Sequence, residues 1–246
     1  MSDGVTVSIV SHLHGDMVLR LVNSLLELPS VRKIVLTKNV PEKIELPDSE
    51  RLMVICNESA KGFSENHNFA FAFAEGEFFC VMNPDVSFDK DPFPELFAVC
   101  SSDGVGIVAP RVVSRLGVDE DSARNFPTFG SLIRKLIFGD KGNVSLAEKH
   151  DAVIVDWVAG MFMLFTRDSF SRLGGFDKSF FLYYEDVDIC VRAWQFGLMV
   201  KVCPLVSVVH DARRASRKNF RYALWHLKSM ARYMAKHFGR LPSISE

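Results

Sequence analysis

Phe78-Phe79-Cys80-Val81-Met82-Asn83-Pro84-Asp85 is a short apolar run that ends on a proline and a carboxylate. Five apolar residues in succession suit a strand covered on both faces, the habit of a parallel sheet. Pro84 removes a backbone donor and fixes φ, so it ends ladder pairing and turns the flanking side chains out of the strand. Toward the N-terminus, Val5 to Val10 and Val31 to Thr37 read as strands, as does Leu52 to Cys56. Met17 to Leu28 reads as a helix with Val18, Leu21, Val22, Leu25 and Leu26 at helical spacing, stopped by Pro29. Glu65 to Ala74 is predicted as a second helix, with Phe69, Ala70, Phe73 and Ala74 on its buried face. Toward the C-terminus follow a helix at Pro92 to Cys100, a strand at Val105 to Ala109, the apolar run Trp157 to Phe165, a short helix at Arg167 to Leu173 and a Gly174-Gly175 turn. This alternation predicts an α/β domain with a doubly wound, mostly parallel sheet, whose ligands bind at the carboxyl ends of the strands. Asp85 stands at such an end.

The 246 residues, 48% of them hydrophobic, can bury a full core, and disorder is excluded. Formal net charge is -1, from 29 basic and 30 acidic residues, which gives no reason to expect nucleic acid as a partner. The five cysteines (Cys56, Cys80, Cys100, Cys190, Cys203) lack C-x-x-C spacing and read as buried thiols in a reducing compartment. No run is long enough for a membrane span and no leader precedes the first strand, so the chain is expected in the cytoplasm. Residues 111–150, with Gly117, Gly130, Gly139 and Gly142, are predicted to form a mobile loop over a site. From Ala212 to Ser245 there is no acid, whereas Arg213, Arg214, Arg217, Lys218, Arg221, Lys228, Arg232, Lys236 and Arg240 all fall there.

Four places could carry chemistry. An Asp beyond a strand can offer hard oxygen ligands to Mg²⁺ or Mn²⁺ that share coordination with phosphates; by itself Asn-Pro-Asp is more often an Asx-Pro turn. Glu185-Asp186-Val187-Asp188 opens a helix with Val187, Cys190, Val191 and Trp194 on its apolar face and Gly197 past its end. Acids there suit the helix dipole, and Asp188 with Arg192 makes an i,i+4 pair, so Asp188 is assigned to structure. Glu185 and Asp186 are left for chemistry. Asn57 to Asn68, a strand-to-helix segment containing Lys61 and Gly62, could cradle a nucleotide or be an ordinary capped loop. His210 ends an apolar run, where an imidazole could complete a metal site or simply face solvent.

Taken in order, Lys61-Gly62-Phe63-Ser64-Glu65-Asn66-His67-Asn68, Asn83-Pro84-Asp85-Val86, Trp157-Val158-Ala159-Gly160, Gly174-Gly175-Phe176-Asp177 and Tyr183-Tyr184-Glu185-Asp186-Val187-Asp188 resemble the inverting family 2 glycosyltransferases of GT-A fold, nearest the rhamnosyltransferase-like branch. The resemblance spans Val7 to His210. It implies a GT-A domain over 1–211: a nucleotide-sugar half (1–110), a variable loop (111–150) and an acceptor and catalytic half (151–211). A basic amphipathic helical extension (212–246) would follow. It implies that Asp85 holds a divalent cation, Mg²⁺ or Mn²⁺, with Asn83 replacing the first acid of a D-x-D-like motif and His210 as a second ligand. Asp186 maps to the base and Glu185 to its neighbour. Donor contacts map to Ser11, His12, Asn39, Lys61, Gly62, Phe63, Asn66, Asn68, Asn83 and Asp85, and acceptor contacts to Trp157, Gly160 and Tyr184.

Two departures stand out. Thr37-Lys38-Asn39-Val40-Pro41-Glu42 replaces the usual acidic nucleoside-binding motif, with Asn39 as its substitute, and Ser11-His12-Leu13 replaces the common Thr-Tyr-Asn. The implied activity is transfer of a sugar, best read as L-rhamnose from dTDP-L-rhamnose, to a hydroxyl of a saccharide or lipid-linked saccharide in cell-surface polysaccharide (O-antigen) synthesis. A UDP-hexose or UDP-galactofuranose transferase is the alternative. A non-catalytic nucleotide- or carbohydrate-binding protein is another, against which the Glu185-Asp186 pair argues. The stripe Phe220, Ala223, Leu224, Leu227, Met230, Ala231 and Met234, flanked by cations, suits a helix on an anionic membrane or one packed on the domain.

Overall fold

The computed structural model describes residues 4–128, 130–131, 146, 149–211 and 220–244. Parts of the expected loop (129, 132–145, 147–148) and Arg213, Arg214, Arg217 and Lys218 lie outside these. Four parallel strands form one half of the main sheet: β1 (Val5–Ser11), β2 (Val31–Lys38), β3 (Leu52–Cys56) and β4 (Phe78–Met82), in the order β3-β2-β1-β4. The other half is built from β5 (Val86–Ser87), β6 (Val105–Val113), β8 (Val153–Ile154), β10 (Phe162–Thr166) and β11 (Met199–His210). β10 runs antiparallel between β4 and β6, and β11 lies parallel to β6. A separate antiparallel pair joins β7 (Ala123–Arg124) to β9 (Trp157–Val158).

Alternate residues of the central strands feed opposite cores because side chains reverse face at each step. Phe78, Cys80, Met82, Phe162 and Leu164 meet α1 (Asp16–Glu27) and α3 (Phe93–Cys100) through Val18, Leu21, Val22, Leu25, Phe93 and Leu96. Phe79, Val81, Met163 and Phe165 face the layer of α4 (Arg167–Arg172) and α5 (Glu185–Gln195), with Phe170, Val187, Cys190 and Val191. Burial on both faces explains why β4 is apolar throughout and why the pattern is a run rather than an alternation.

Two expectations are corrected, and one apolar run is divided. α2 (Phe63–Phe71) starts inside the Lys61–Asn68 motif and ends before Phe73; Phe69, expected inside, is 50% exposed. The apolar run Trp157 to Phe165 is split by Ala159-Gly160-Met161 into β9 and β10. Cys56 is exposed, although the other four cysteines are buried as read.

The basic segment contributes α6 (Phe220–His237), which packs on α5 and the loop before it. Asp188 is the anchor. Fully buried, it accepts from Arg192 Nε at 2.8 Å, Lys236 Nζ at 2.6 Å and His237 Nε2 at 2.8 Å. Ser229 Oγ donates to Leu182 O at 2.9 Å, and Tyr233, 1% exposed, stacks on Tyr184. Met230 and Met234 join this contact. Phe220 (82% exposed), Leu224 (41%) and Leu227 (56%) point away from it.

Candidate active site

The carboxyl ends of β1, β2, β3 and β4 and the start of β10 lie on one edge of the sheet, and the residues singled out in the sequence, Asn68 excepted, are distributed about it. Asn83 N–H donates to Met161 O at 2.9 Å, which fastens the end of β4 to the Gly160-Met161 turn. The end of β11 is tied in through the pairing of His210 with Val86 and the bond from Asp211 N–H to Asp85 O at 2.9 Å.

At the donor end, Asn39 organises a polar knot. Its Oδ1 accepts from Lys61 N–H at 2.8 Å, Asn57 Nδ2 at 2.9 Å and Asn66 Nδ2 at 3.2 Å, while its Nδ2 donates to Lys61 O at 2.9 Å. Asn66 Oδ1 accepts from Asn57 Nδ2 at 2.7 Å. Asn39 and Asn66 therefore spend their amides shaping the Asn57–Lys61 loop. Ser11 is buried beneath it, accepting from Asn39 N–H through its carbonyl at 2.8 Å, while His12 is exposed. Asn68 lies elsewhere: both its amide atoms bond the Phe176 backbone, at 2.7 and 2.8 Å, pinning the Gly175-Phe176 turn. Lys61 is half exposed beside Glu65 at 3.5 Å. Gly62 has no room for a side chain, since a Cβ would fall 2.8 Å from Phe181 O. That approach lets Phe63 N–H donate to the same carbonyl at 2.9 Å, binding α2 to the segment that leads into α5.

Asp85, His210 and a residue that sequence reading passed over, Glu120, form one cluster. His210 Nε2 lies 3.3 Å from Asp85 Oδ2 and its Nδ1 3.4 Å from Glu120 Oε2. Burial opposes the imidazolium, but the two carboxylates outweigh it and raise the His210 pKa above its ordinary value. Asp85 Oδ1 is buried without a hydrogen-bond partner. An orphaned carboxylate oxygen beside an imidazole fits a cation ligand. Among the described residues, however, no group of three such side chains is arranged to hold an ion unaided.

Across the cleft edge, Tyr183 and Tyr184 both adopt left-handed backbone (φ 71° and 66°), at a cost of about 1–3 kcal/mol each. Bonds from Phe63 N–H to Phe181 O, from Ser229 to Leu182 O and from Asp188 N–H to Tyr184 O hold the turn. It presents Glu185 and Asp186 at the first turn of α5. Asp186 Oδ2 accepts from Gly160 N–H at 3.0 Å and Oδ1 from Val187 N–H at 2.9 Å. A Cβ on Gly160 would sit 3.2 Å from the Phe63 ring and 3.6 Å from Asp186 Cβ, so the glycine permits this contact. Burial prevails at Asp186 and raises its carboxyl above the ordinary value, against the pull of those two N–H groups and, last, the Arg124 guanidinium. Glu185, 4% exposed, has an unpartnered Oε2 and is pushed well above the carboxylate range by burial and by Asp186. Both carboxyls are raised by burial, and Glu185 also by the charge of Asp186. Burial and Asp186 push the Tyr184 phenol up to about 12. Its ring is 9% exposed and is covered by His226 and Tyr233. Trp157 is also nearly buried, donating from Nε1 to Asn125 O at 3.0 Å with the Arg124 guanidinium 5.7 Å over its ring.

Two clusters lie at the carboxyl edge of the sheet, one joining Asp85, His210 and Glu120 and the other holding Asp186 on the Gly160 N–H, the edge where ligands of such sheets bind. The Glycosyl transferase family 2 model matches residues 6–174. The chain belongs to glycosyl transferase family 2. It is 28% identical to the rhamnosyltransferase WbbL of Escherichia coli K12 over 98% of both chains. It is 28% identical to the N-acetylglucosaminyl-diphospho-decaprenol L-rhamnosyltransferase of Mycobacterium tuberculosis, over 65% of this chain and 55% of that one. A hexosyltransferase of Haloferax volcanii, Agl10, is 27% identical over 61% of this chain and 48% of its own length. Among solved structures, GalNAc-T7 with UDP, GalNAc and Mn²⁺ superposes with a TM-score of 0.69 at 19% identity, over 85% of this chain and 43% of that one. The mannosyltransferase PcManGT of Pyrobaculum calidifontis with GDP-Man and Mn²⁺ gives 0.64 at 17% identity, over 97% and 65%. The fold is GT-A and the protein a glycosyltransferase.

Proposed function

We propose that the enzyme transfers L-rhamnose from dTDP-L-rhamnose, with inversion, to a hydroxyl of a saccharide or lipid-linked saccharide in cell-surface polysaccharide synthesis. The observation that carries the chemistry is the placement of the Asp186 carboxyl, gripped by Gly160 N–H, at the same sheet edge as Asp85 and His210. Support for the sugar comes from the likeness to WbbL over the whole chain. The acceptor class follows the diphospho-decaprenol named for the mycobacterial relative.

Attack by a hydroxyl requires a carboxylate within hydrogen-bond reach to take its proton, and Asp186 supplies it. Beside it stands Glu185, whose carboxyl burial and the charge of Asp186 push well up, which favours its neutral form. Asp85 and His210 would hold a divalent cation, Mg²⁺ or Mn²⁺, and Lys61 and the Gly62-Phe63 backbone would border the donor. Such an ion, when bound, offsets charge on the departing diphosphate. Asn39 and Asn66 serve the donor by fixing the loop around it.

No described helix is long and apolar enough to cross a membrane. The outward face of α6, with Phe220, Leu224 and Leu227 beside Lys228, suits the surface of an anionic bilayer, where a lipid-linked acceptor would be presented. Nucleotide-sugar donors screened against lipid-linked saccharides test the reading, with dTDP, UDP and GDP compared by calorimetry. Rhamnosyl transfer lost in a folded Asp186→Asn is expected. A preference for a UDP-hexose would replace the rhamnose reading, and full turnover by Asp186→Asn would remove the base.

A further inference from the structure

Trp225, Ser229, Tyr233 and His237 recur at every fourth position of α6 and so lie along one face of it. Each meets α5 or the segment that leads into it. Trp225 packs on Phe181 with ring centroids 4.9 Å apart, Ser229 Oγ donates to Leu182 O at 2.9 Å, the Tyr233 ring lies 5.3 Å from that of Tyr184, and His237 reaches Asp188 at 2.8 Å. His226, beside this face, sets its ring 5.3 Å from those of both Tyr183 and Tyr184. Every residue from Phe181 to Tyr184 is therefore touched by α6.

Two consecutive aromatic residues in left-handed backbone persist only where their surroundings over-determine them. α2 and α5 supply one restraint each, through Phe63 N–H to Phe181 O and Asp188 N–H to Tyr184 O, and α6 supplies the contacts just named. Among these, that of Ser229 differs in kind. Apolar packing by Met230, Tyr233 and Met234 is non-directional, whereas the hydroxyl of Ser229, a residue 6% exposed, fixes the direction of the carbonyl directly before the first left-handed residue. Asp186 follows two residues after the turn, with its Oδ2 3.0 Å from the Gly160 nitrogen.

We propose that Ser229 is a positioning residue: its bond to Leu182 O, with His226 against the two tyrosine rings, aims the turn that places the Asp186 carboxyl on Gly160 N–H. The consequence for turnover rests on Asp186 being the base; the consequence for the Gly160 bond does not. The Asp188 cluster grips Lys236 and His237, about two turns beyond Ser229, so anchoring that end of the helix and aiming the turn are separable. Tyr233 contributes its ring, since its hydroxyl is buried without a hydrogen-bond partner among the described residues. Misplacing a reacting group by about 1 Å can cost about a hundredfold in rate, and a turn that is loosened in part costs less.

Amide hydrogen exchange of the full chain reads the turn without donor or acceptor. In Ser229→Ala the Gly160 and Phe63 amides, which bond Asp186 and Phe181, are expected to exchange about fivefold faster, the equivalent of one net hydrogen bond, while the Val81 amide in the middle of β4 is unchanged. His226→Ala, at an exposed position, should act in the same direction to a smaller extent. In Ser229→Ala kcat is expected to fall about tenfold with KM for dTDP-L-rhamnose within about twofold of wild type; Ser229→Thr should recover most of the loss, and Tyr233→Phe should match wild type. Exchange that rises equally at Gly160 and Val81 would leave Ser229 a general stabilising residue and overturn the inference. Unchanged Gly160 exchange in both Ser229→Ala and His226→Ala would overturn it as well. Failure of every donor to react would strike the proposed function and leave the exchange result standing.

Discussion

Asp188→Asn tests whether the third acid of the Glu185–Asp188 motif is structural. Asp188 Oδ1 accepts from Lys236 and His237, and Oδ2 from Arg192, with no exposure to water. Asparagine keeps one acceptor oxygen and turns an amide NH₂ toward a group that can only donate. Breaking a buried charge cluster by removing one partner costs about 3–5 kcal/mol. Two partners have alternatives here: Lys236 also reaches Asp177 at 2.7 Å, and the Arg192 guanidinium also bonds Leu173 O and Gly175 O. The low end, about 3 kcal/mol, is therefore expected. With a urea slope of about 3 kcal/mol/M, the unfolding midpoint should fall by about 1 M, at unchanged slope. Because Asp188 touches neither proposed substrate, kcat of the folded variant should stay within about threefold of wild type. A loss below about 1 kcal/mol combined with a hundredfold drop in kcat would show that Asp188 acts in the chemistry, and refute the assignment.

Asp85→Asn and His210→Ala should each weaken nucleoside-diphosphate binding in the presence of Mn²⁺ by about tenfold or more in calorimetry, with little change in its absence. Gly160→Val should fold yet lose at least about tenfold in kcat/KM, because its side chain must displace the Phe63 ring and disturb the N–H held by Asp186. Burial raises the Asp177 carboxyl, but the Lys236 ammonium prevails and holds it at about 2, below its ordinary 3.8. That contact therefore stabilises fully above about pH 4 and is lost as pH falls toward 2. Asp177→Asn should flatten the acid unfolding curve in that window. Leu224→Glu with Leu227→Glu should abolish flotation with phosphatidylglycerol vesicles without shifting the thermal midpoint, since both side chains point away from the domain; unchanged flotation would remove α6 from the membrane.

Much of the fold was legible because the central strands are buried on both faces: Phe78–Met82 is apolar throughout, and Val5–Ser11 and Val31–Lys38 are rich in apolar and β-branched residues, between helices of period 3.6. The placement of Asp85 and Asp186 at the sheet edge was legible for a related reason: a carboxylate directly after an apolar element falls where that element leaves the core. Glu120 and Arg124 were not, because they come from a stretch without periodicity, and only the pairing of β7 with β9 and the end of β11 bring them to the site. The asparagines show the opposite failure. Asn39, Asn66 and Asn68 have the chemistry to touch a nucleotide, yet their amides are consumed by backbone and by one another, and no local pattern distinguishes a ligand contact from a satisfied internal bond. For α6 the apolar stripe was visible as a single band. The tertiary structure divides it, since Met230, Tyr233 and Met234 find partners on α5 and its preceding loop while Phe220, Leu224 and Leu227 find none there. Periodicity determines that a helix forms and is amphipathic. Which part of the stripe is covered depends on where Asp188 sits, forty-eight residues from Lys236 along the chain and 2.6 Å from it in space.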